Sequence, residues 1–241
     1  MKNITLLSIA ILMFSLTAFA DEEESTTYYF YKGYDYGTES LINPLSLVIN
    51  GGYGIIQFSD RDNSIIDLDY TKGFDNLKYS LTHPFTLIGE QGWSDFLISE
   101  TVPISIDKHN AQYWPNYTQH LIGGGMSYRM MYEWFDYHKY GHPKTYAIST
   151  IFAYHFLNEV VESAGYSRPS TDPIADLYLF DPLSILLFSN ERVCNFFSNT
   201  LNMADWSYQP MIDPSNGTLS NASQNFVMKW KLPQLQKWSL F

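Results

Sequence analysis

An α+β fold, a helical module of three or so helices packed with a small antiparallel sheet, is what three observations predict for this 241-residue chain. The first is an apolar stretch from Thr145 to Asp181 whose polar groups recur at helical spacing. The second is a series of short segments rich in Tyr, Ile and Val ahead of it, punctuated by glycines. The third is a single cysteine, Cys194, which excludes an internal disulfide and leaves stabilisation to burial in a core or a membrane.

The elements follow in chain order. Residues 1–20 carry Lys2, an apolar run and Ala18-Phe19-Ala20 ahead of an acidic DEEE, and they are read as a secretory signal peptide, too short for a membrane span. Residues 21–106 are predicted to be mainly β after an acidic lead from Asp21 to Thr27. The expected strands lie in YYFYKGYDYG from Tyr28, in Leu45–Phe58 with Asn50-Gly51-Gly52 as a turn, in Ser64–Tyr70 and in Leu77–Thr82. Phe96–Ile106 is expected to be extended.

Residues 107–200 form the predicted helical module. Its first helix starts near Asn116 and places His120, Gly124 and Ser127 along one side, with Arg129 and Glu133 opposite at i,i+4 spacing. Gly123, Gly124 and Gly125 inside that helix each cost about 1 kcal/mol relative to alanine, so a second helix or a ligand is expected to approach closely there. A second helix runs from about Lys144 to Ser163, after Pro143. Asp172-Pro173 reads as the cap of a third helix, and Asp181-Pro182 as a second cap that breaks or restarts it. Residues 201–241 are expected to be irregular and strand-like, with NFVMKWKLP as the clearest strand signal.

The balance of 25 Asp and Glu against 14 Lys and Arg gives a net charge of −11, which excludes nucleic acid as a partner, since that needs a basic footprint. Aromatic residues make up 17% and charged residues only 16%, a mix that suits a membrane interface, where Tyr and Trp place one end of the ring in water.

The second helix sets His155, Asn158, Glu159 and Glu162 on one stripe within an otherwise apolar segment. Ionisable groups facing a core are costly unless paired, bonded or bound to an ion, so they need partners elsewhere in the chain. Asp172 and Asp176 are the nearest candidates, which makes His155, Glu159, Glu162, Asp172 and Asp176 the candidate catalytic set. His120, Gly124, Ser127, Asn158, Arg168 and Ser170 are the candidate binding residues. His155 and Glu159 stand one turn apart, a spacing that lets two side chains share an ion. The chain has no HExxH and no paired Glu-x-x-His, however, and no metal ligand or cofactor is predicted. The alternative is a satisfied polar network that holds helices in register, with Asp172 and Asp181 acting as caps.

The order of these groups resembles the VanZ-like family and related outer-membrane-associated envelope proteins. There, a His opens one helix, a Glu sits late in the next, and a Pro-Ser turn leads to an Asp that starts a third. The matching positions are Asp107-Lys108-His109 or His120, then Asn158-Glu159 and Glu162, then Arg168-Pro169-Ser170-Thr171-Asp172 with Asp176. The family's Asn-x-x-Gly after the Asp is absent, since residues 178–184 read YLFDPLS. The resemblance implies a membrane-proximal helical module with a shared His, Glu and Asp site.

The expected function is that of an exported envelope protein, in the periplasm or at the outer membrane and in a barrel-associated setting, with a binding or structural role toward a lipid or hydrophobic small molecule. A hydrolase acting on a lipid or cell-wall precursor through the His/Glu/Asp set is the alternative, and an interaction scaffold is a third reading.

Overall fold

The computed structural model describes residues 27–57, 64–102, 111–231 and 239–240; the expected signal peptide, Asp107-Lys108-His109 and most of the extended Val102–Ile106 lie outside them. The class is α+β: the described residues form eight helices and a small amount of antiparallel sheet. Four helices precede the module, α1 Pro44–Gly52, α2 Tyr70–Thr82, α3 Pro84–Gln91 and α4 Trp93–Glu100. Next comes α5, which runs from Tyr113–Pro115 through a π-helical stretch, Asn116–Gly123, into Gly124–Tyr137. α6 is Pro143–Ser163. α7 joins Asp172–Ala175, a π turn at Asp176–Phe180 and Asp181–Phe188, while α8 joins Glu191–Asn195 to Phe196–Thr200.

The expected β character of the N-terminal region is corrected: residues 28–37 hold no strand, and the run from Leu45 is helical apart from a turn at Tyr53 as far as it is described, to Gln57. Leu77–Thr82 is helical, and Ser64 makes a single β-bridge to Thr218 before bends at Ile65–Leu68 lead into α2. Phe96–Glu100, expected to be extended, belongs to α4. The helix signals are present in the residues. Asn43 caps α1 by accepting from Ser46 N at 2.9 Å with Pro44 in the first turn, and Asp69 caps α2 by accepting from Lys72 N at 3.0 Å. Gly51 and Gly52 are not a turn; they end α1 where a side chain would overlap Tyr154 and Leu157 of α6. Gly73 likewise lets α2 lie against the Val160 carbonyl of α6, with Leu77 and Ser80 completing its buried face.

The strands lie in the C-terminal region, where irregular and strand-like structure is expected. Among the described residues three two-stranded antiparallel ladders pair Ala204–Asp205 with Phe226–Val227, Met211–Asp213 with Thr218–Ser220, and Trp230–Lys231 with Ser239–Leu240.

α6 is the central helix, packed by α1, α2 and α5. The main core joins Met126, Met130, Met131 and Phe135 of α5 to Ile148, Ile151 and Tyr154 of α6 and Phe188 of α7. A smaller core places Leu87, Ile88 and Phe96 against Ile174 and Phe180. The glycines of α5 make these contacts: a Cβ on Gly125 would enter the Phe188 ring, and one on Gly124 would meet His155 Cε1 at 3.1 Å. Close helix approach, one of the two expected reasons for the triple glycine, is thus what is found. Among the described residues no helix is long and apolar enough to cross a membrane.

Candidate functional site

Three helices bring seven ionisable side chains together: His120 from α5, His155, Glu159 and Glu162 from α6, and Asp172, Asp176 and Asp181 from α7. α6 supplies its three by simple periodicity, because residues three, four and seven apart share a face. The other two helices depend on their π turns. In a regular α-helix Asp176 and Asp181 would sit about 140° apart, at roughly 100° per residue. Here the Asp181 N–H donates to the Asp176 carbonyl five residues back, which widens the turn and sets both carboxylates on the α6 side. Pro182 explains the wide turn, since it lacks an N–H and its ring crowds the preceding turn. The π stretch of α5 carries His120 to the same place.

Asp181 is therefore not a helix cap. It is fully buried inside a continuous helix, with Oδ1 3.2 Å from His120 Nδ1 and Oδ2 2.6 Å from His155 Nδ1. The second approach lies off the hydrogen-bond direction, so neither His155 Nδ1 nor Asp181 Oδ2 is satisfied by it. Asp172 is not the cap of α7 either; Thr171 occupies that position and Asp172 begins the first turn. The other His120 nitrogen, Nε2, lies 3.3 Å from Asp176 Oδ2, and the two imidazole rings are 4.7 Å apart. A neutral imidazole has one N–H, yet His120 has a carboxylate beside each nitrogen.

Glu159 is 1% exposed and neither of its carboxylate oxygens has a hydrogen-bond donor. Asp176 is its neighbour, but while both are ionised neither carboxylate has a proton to give the other, and Asp176 Oδ1 is itself unsatisfied. Burial, then repulsion from Asp172, Glu162 and Asp181, pushes the Glu159 carboxyl well above its usual range. Asp172 and Asp176 move the same way, by burial first and by neighbouring carboxylates second. Burial also works against the charge of Asp181, but the two imidazoles hold it below the usual carboxylate range. His155 is held down by burial, partly offset by Asp181.

The cluster opens on a cleft of about 270 Å³. His120, His155, Glu162, Asp172 and Asp176 reach its wall, and Glu159 and Asp181 lie behind them. The rest of the lining is rich in neutral amides, Gln112, Asn116, Gln119, Asn158 and Gln224, and among the described residues no lysine or arginine lines it.

The predicted catalytic residues thus meet, and His120 joins them. The other predicted binding residues do not all do so. Asn158 reaches the cleft but donates to the Gly51 carbonyl at 3.1 Å, tying α6 to α1. Gly124 is a contact surface for His155, and the buried Ser127 donates to the Gly123 carbonyl at 2.9 Å and accepts from Gln224. Arg168 and Ser170 line a separate depression beside α2 and α3, because the chain turns away from the cluster between Gly165 and Thr171. Sequence reasoning missed Asp181, whose Asp-Pro pair imitates a cap. It also missed Asn116, which donates to the buried Glu100 carboxylate and to its carbonyl, each at 3.1 Å, one turn before His120.

No protein-family model, no characterised protein and no solved structure matches the chain.

Proposed function

We propose that the protein is a hydrolase of the cell envelope, acting on a lipid or cell-wall precursor at the base of this cleft. The observation that carries the reading is the Glu159 carboxylate, buried without a donor beside two imidazoles that share Asp181. A polar network kept only for stability would satisfy its members; a site kept for chemistry holds groups that find partners only with substrate or in the transition state. His155, Glu159 and Glu162 supply the groups that exchange protons, His120, Asp172 and Asp176 line the reacting space, and Asp181 positions both imidazoles. In the reaction one proton leaves the attacking water for the site, the water oxygen joins the acyl or phosphoryl centre, and another proton returns to the departing oxygen. The amide-rich wall suits a polar, hydrogen-bonding headgroup. The envelope location rests on the signal-like leader in the sequence.

The experiment is turnover of chromogenic carboxylic-ester, phosphomonoester and phosphodiester substrates by the full chain and by Glu159→Gln. Loss of a positioned proton acceptor should lower kcat by about 10²–10⁴-fold with the fold retained. Absence of turnover on every class removes the hydrolase reading.

A lipid-binding role without chemistry is favoured by a different feature, the Phe85 and Trp93 rings, which are 6.2 Å apart and 76% and 52% exposed. Co-sedimentation with anionic and neutral vesicles, compared between the full chain and Phe85→Ser/Trp93→Ser, tests it: loss of sedimentation in the variant is expected.

A further inference from the structure

The seven clustered side chains form three sets, in each of which one ligand atom per residue lies within 4.8 Å of the others: His120, His155 and Asp181; His120, Glu159 and Asp176; Glu159, Glu162 and Asp172. The first and third sets share no residue. The second overlaps each of them by one, so the sets form a continuous row with an ion-sized grouping at each end. Five carboxylates lie in this row, and the two histidines are its only basic members.

Clustered acids alone would not indicate a ligand, but here unpartnered atoms point inward. Both oxygens of Glu159, one of Asp176 and one of Asp181 are buried without a donor. Leaving a charged group unsatisfied in the interior costs several kcal/mol, on the order of that for a broken buried ion pair; Glu159 is such a group, whereas Asp176 and Asp181 each have one oxygen beside His120. Glu162 differs from them, since it accepts from Tyr166 Oη at 2.6 Å and lies nearer the mouth.

We propose that the row binds two divalent cations, one held by His120, His155 and Asp181 and the other by Glu159, Glu162 and Asp172, with Asp176 between them. One divalent ion would leave three of the five negative charges uncompensated, whereas two leave one. The imidazole-bearing set, His120, His155 and Asp181, suits a first-row ion such as Zn²⁺ or Mn²⁺, whereas the carboxylate-only set, Glu159, Glu162 and Asp172, suits an oxygen-preferring ion; Mn²⁺ satisfies both ends. Three protein ligands per ion leave coordination positions open toward the cleft for water or substrate. The inference rests on the hydrolase reading only for the use of that water. If it holds, water activation passes to the cations, and these side chains hold ions rather than protons.

The test is stoichiometry. Full-length protein is stripped with chelator, exchanged into buffer containing Zn²⁺ or Mn²⁺, desalted and analysed for metal per chain, with Co²⁺ loading followed by its visible absorption as a second readout of ligand geometry. Two equivalents per chain are expected. Asp181→Asn should lose one of them and Asp172→Asn the other, with the far-UV circular dichroism unchanged; if Asp181→Asn fails to fold, His155→Gln tests the same end. Fewer than two equivalents in folded wild-type protein overturns the proposal, as does full retention of both in both variants. The two readings fail separately: two bound ions without turnover removes only the hydrolase, and turnover without bound ion removes only this inference.

Discussion

α5 carries members of two buried charged clusters on opposite sides, and their hydrogen bonding differs. On one side Glu133, fully buried, accepts from the N–H groups of Tyr29, Phe30 and Tyr31 at 2.7–2.9 Å and from Arg129 Nε at 2.8 Å. Arg129 also donates from Nη1 to Glu191 at 2.6 Å and from Nη2 to the Thr27 carbonyl at 2.7 Å. Burial opposes its charge, but Glu191 and Glu133 more than offset that and hold the guanidinium above its ordinary value. On the other side His120 faces a set of carboxylates with no lysine or arginine among the described residues there, and none of those residues donates to Glu159. Each place buries a glutamate, Glu133 in one and Glu159 in the other, so a buried carboxylate by itself does not identify a site. What separates them is satisfaction: the Arg129 cluster is complete within the chain and pins the N-terminal segment, and the His120 cluster is complete only with something added.

That contrast predicts opposite responses to removing a carboxylate. The largest effect belongs to the satisfied cluster. Glu133→Ala leaves Arg129 Nε and three backbone N–H groups without their acceptor, and stability measured by urea denaturation should fall by about 3–5 kcal/mol. Between the two clusters, Gly125→Ala forces a methyl into the Phe188 ring and should cost about 1–3 kcal/mol by the same measurement, without changing the residues of the cleft. In the unsatisfied cluster the sign reverses: for metal-free protein, Glu159→Gln removes a buried, repelled charge and should raise stability by about 1–2 kcal/mol. The smallest effect concerns Cys194, fully buried beside the satisfied cluster, which donates to the Phe188 carbonyl at 3.0 Å. Burial pushes its thiol up to about 12, so it should resist alkylation by iodoacetamide at pH 8 in native protein and react once urea unfolds the chain.

The site was legible in the sequence wherever it follows an ordinary helical period. His155, Glu159 and Glu162 fall on one face of a helix expected at Lys144–Ser163 and found at Pro143–Ser163, and the Arg129–Glu133 pair appears at its i,i+4 spacing. Asp181 was hidden because a π turn resets the period between it and Asp176, and because an Asp-Pro pair matches the cap pattern equally well. The α+β class and the strand-like C-terminal region were legible too, but most of the sheet was sought ahead of the helices, where α1 and α2 lie. Gly51, Gly52 and Gly73 look like turn or strand punctuation, yet each admits the approach of α6, a tertiary contact that local pattern does not carry. Arg168 and Ser170 were placed with the site because they adjoin Asp172 in sequence; the direction of the turn after α6 sends them elsewhere.

The most direct test of this account is the thermal unfolding midpoint of wild type and Glu159→Gln, each measured in chelator and in saturating Zn²⁺. If the cluster is incomplete without cations, the order of the two proteins should invert: the variant melts higher in chelator, and wild type melts higher with Zn²⁺. Wild type melting above the variant in chelator, with no shift on adding Zn²⁺ or Mn²⁺, would contradict it and make this cluster a second structural network like that of Arg129.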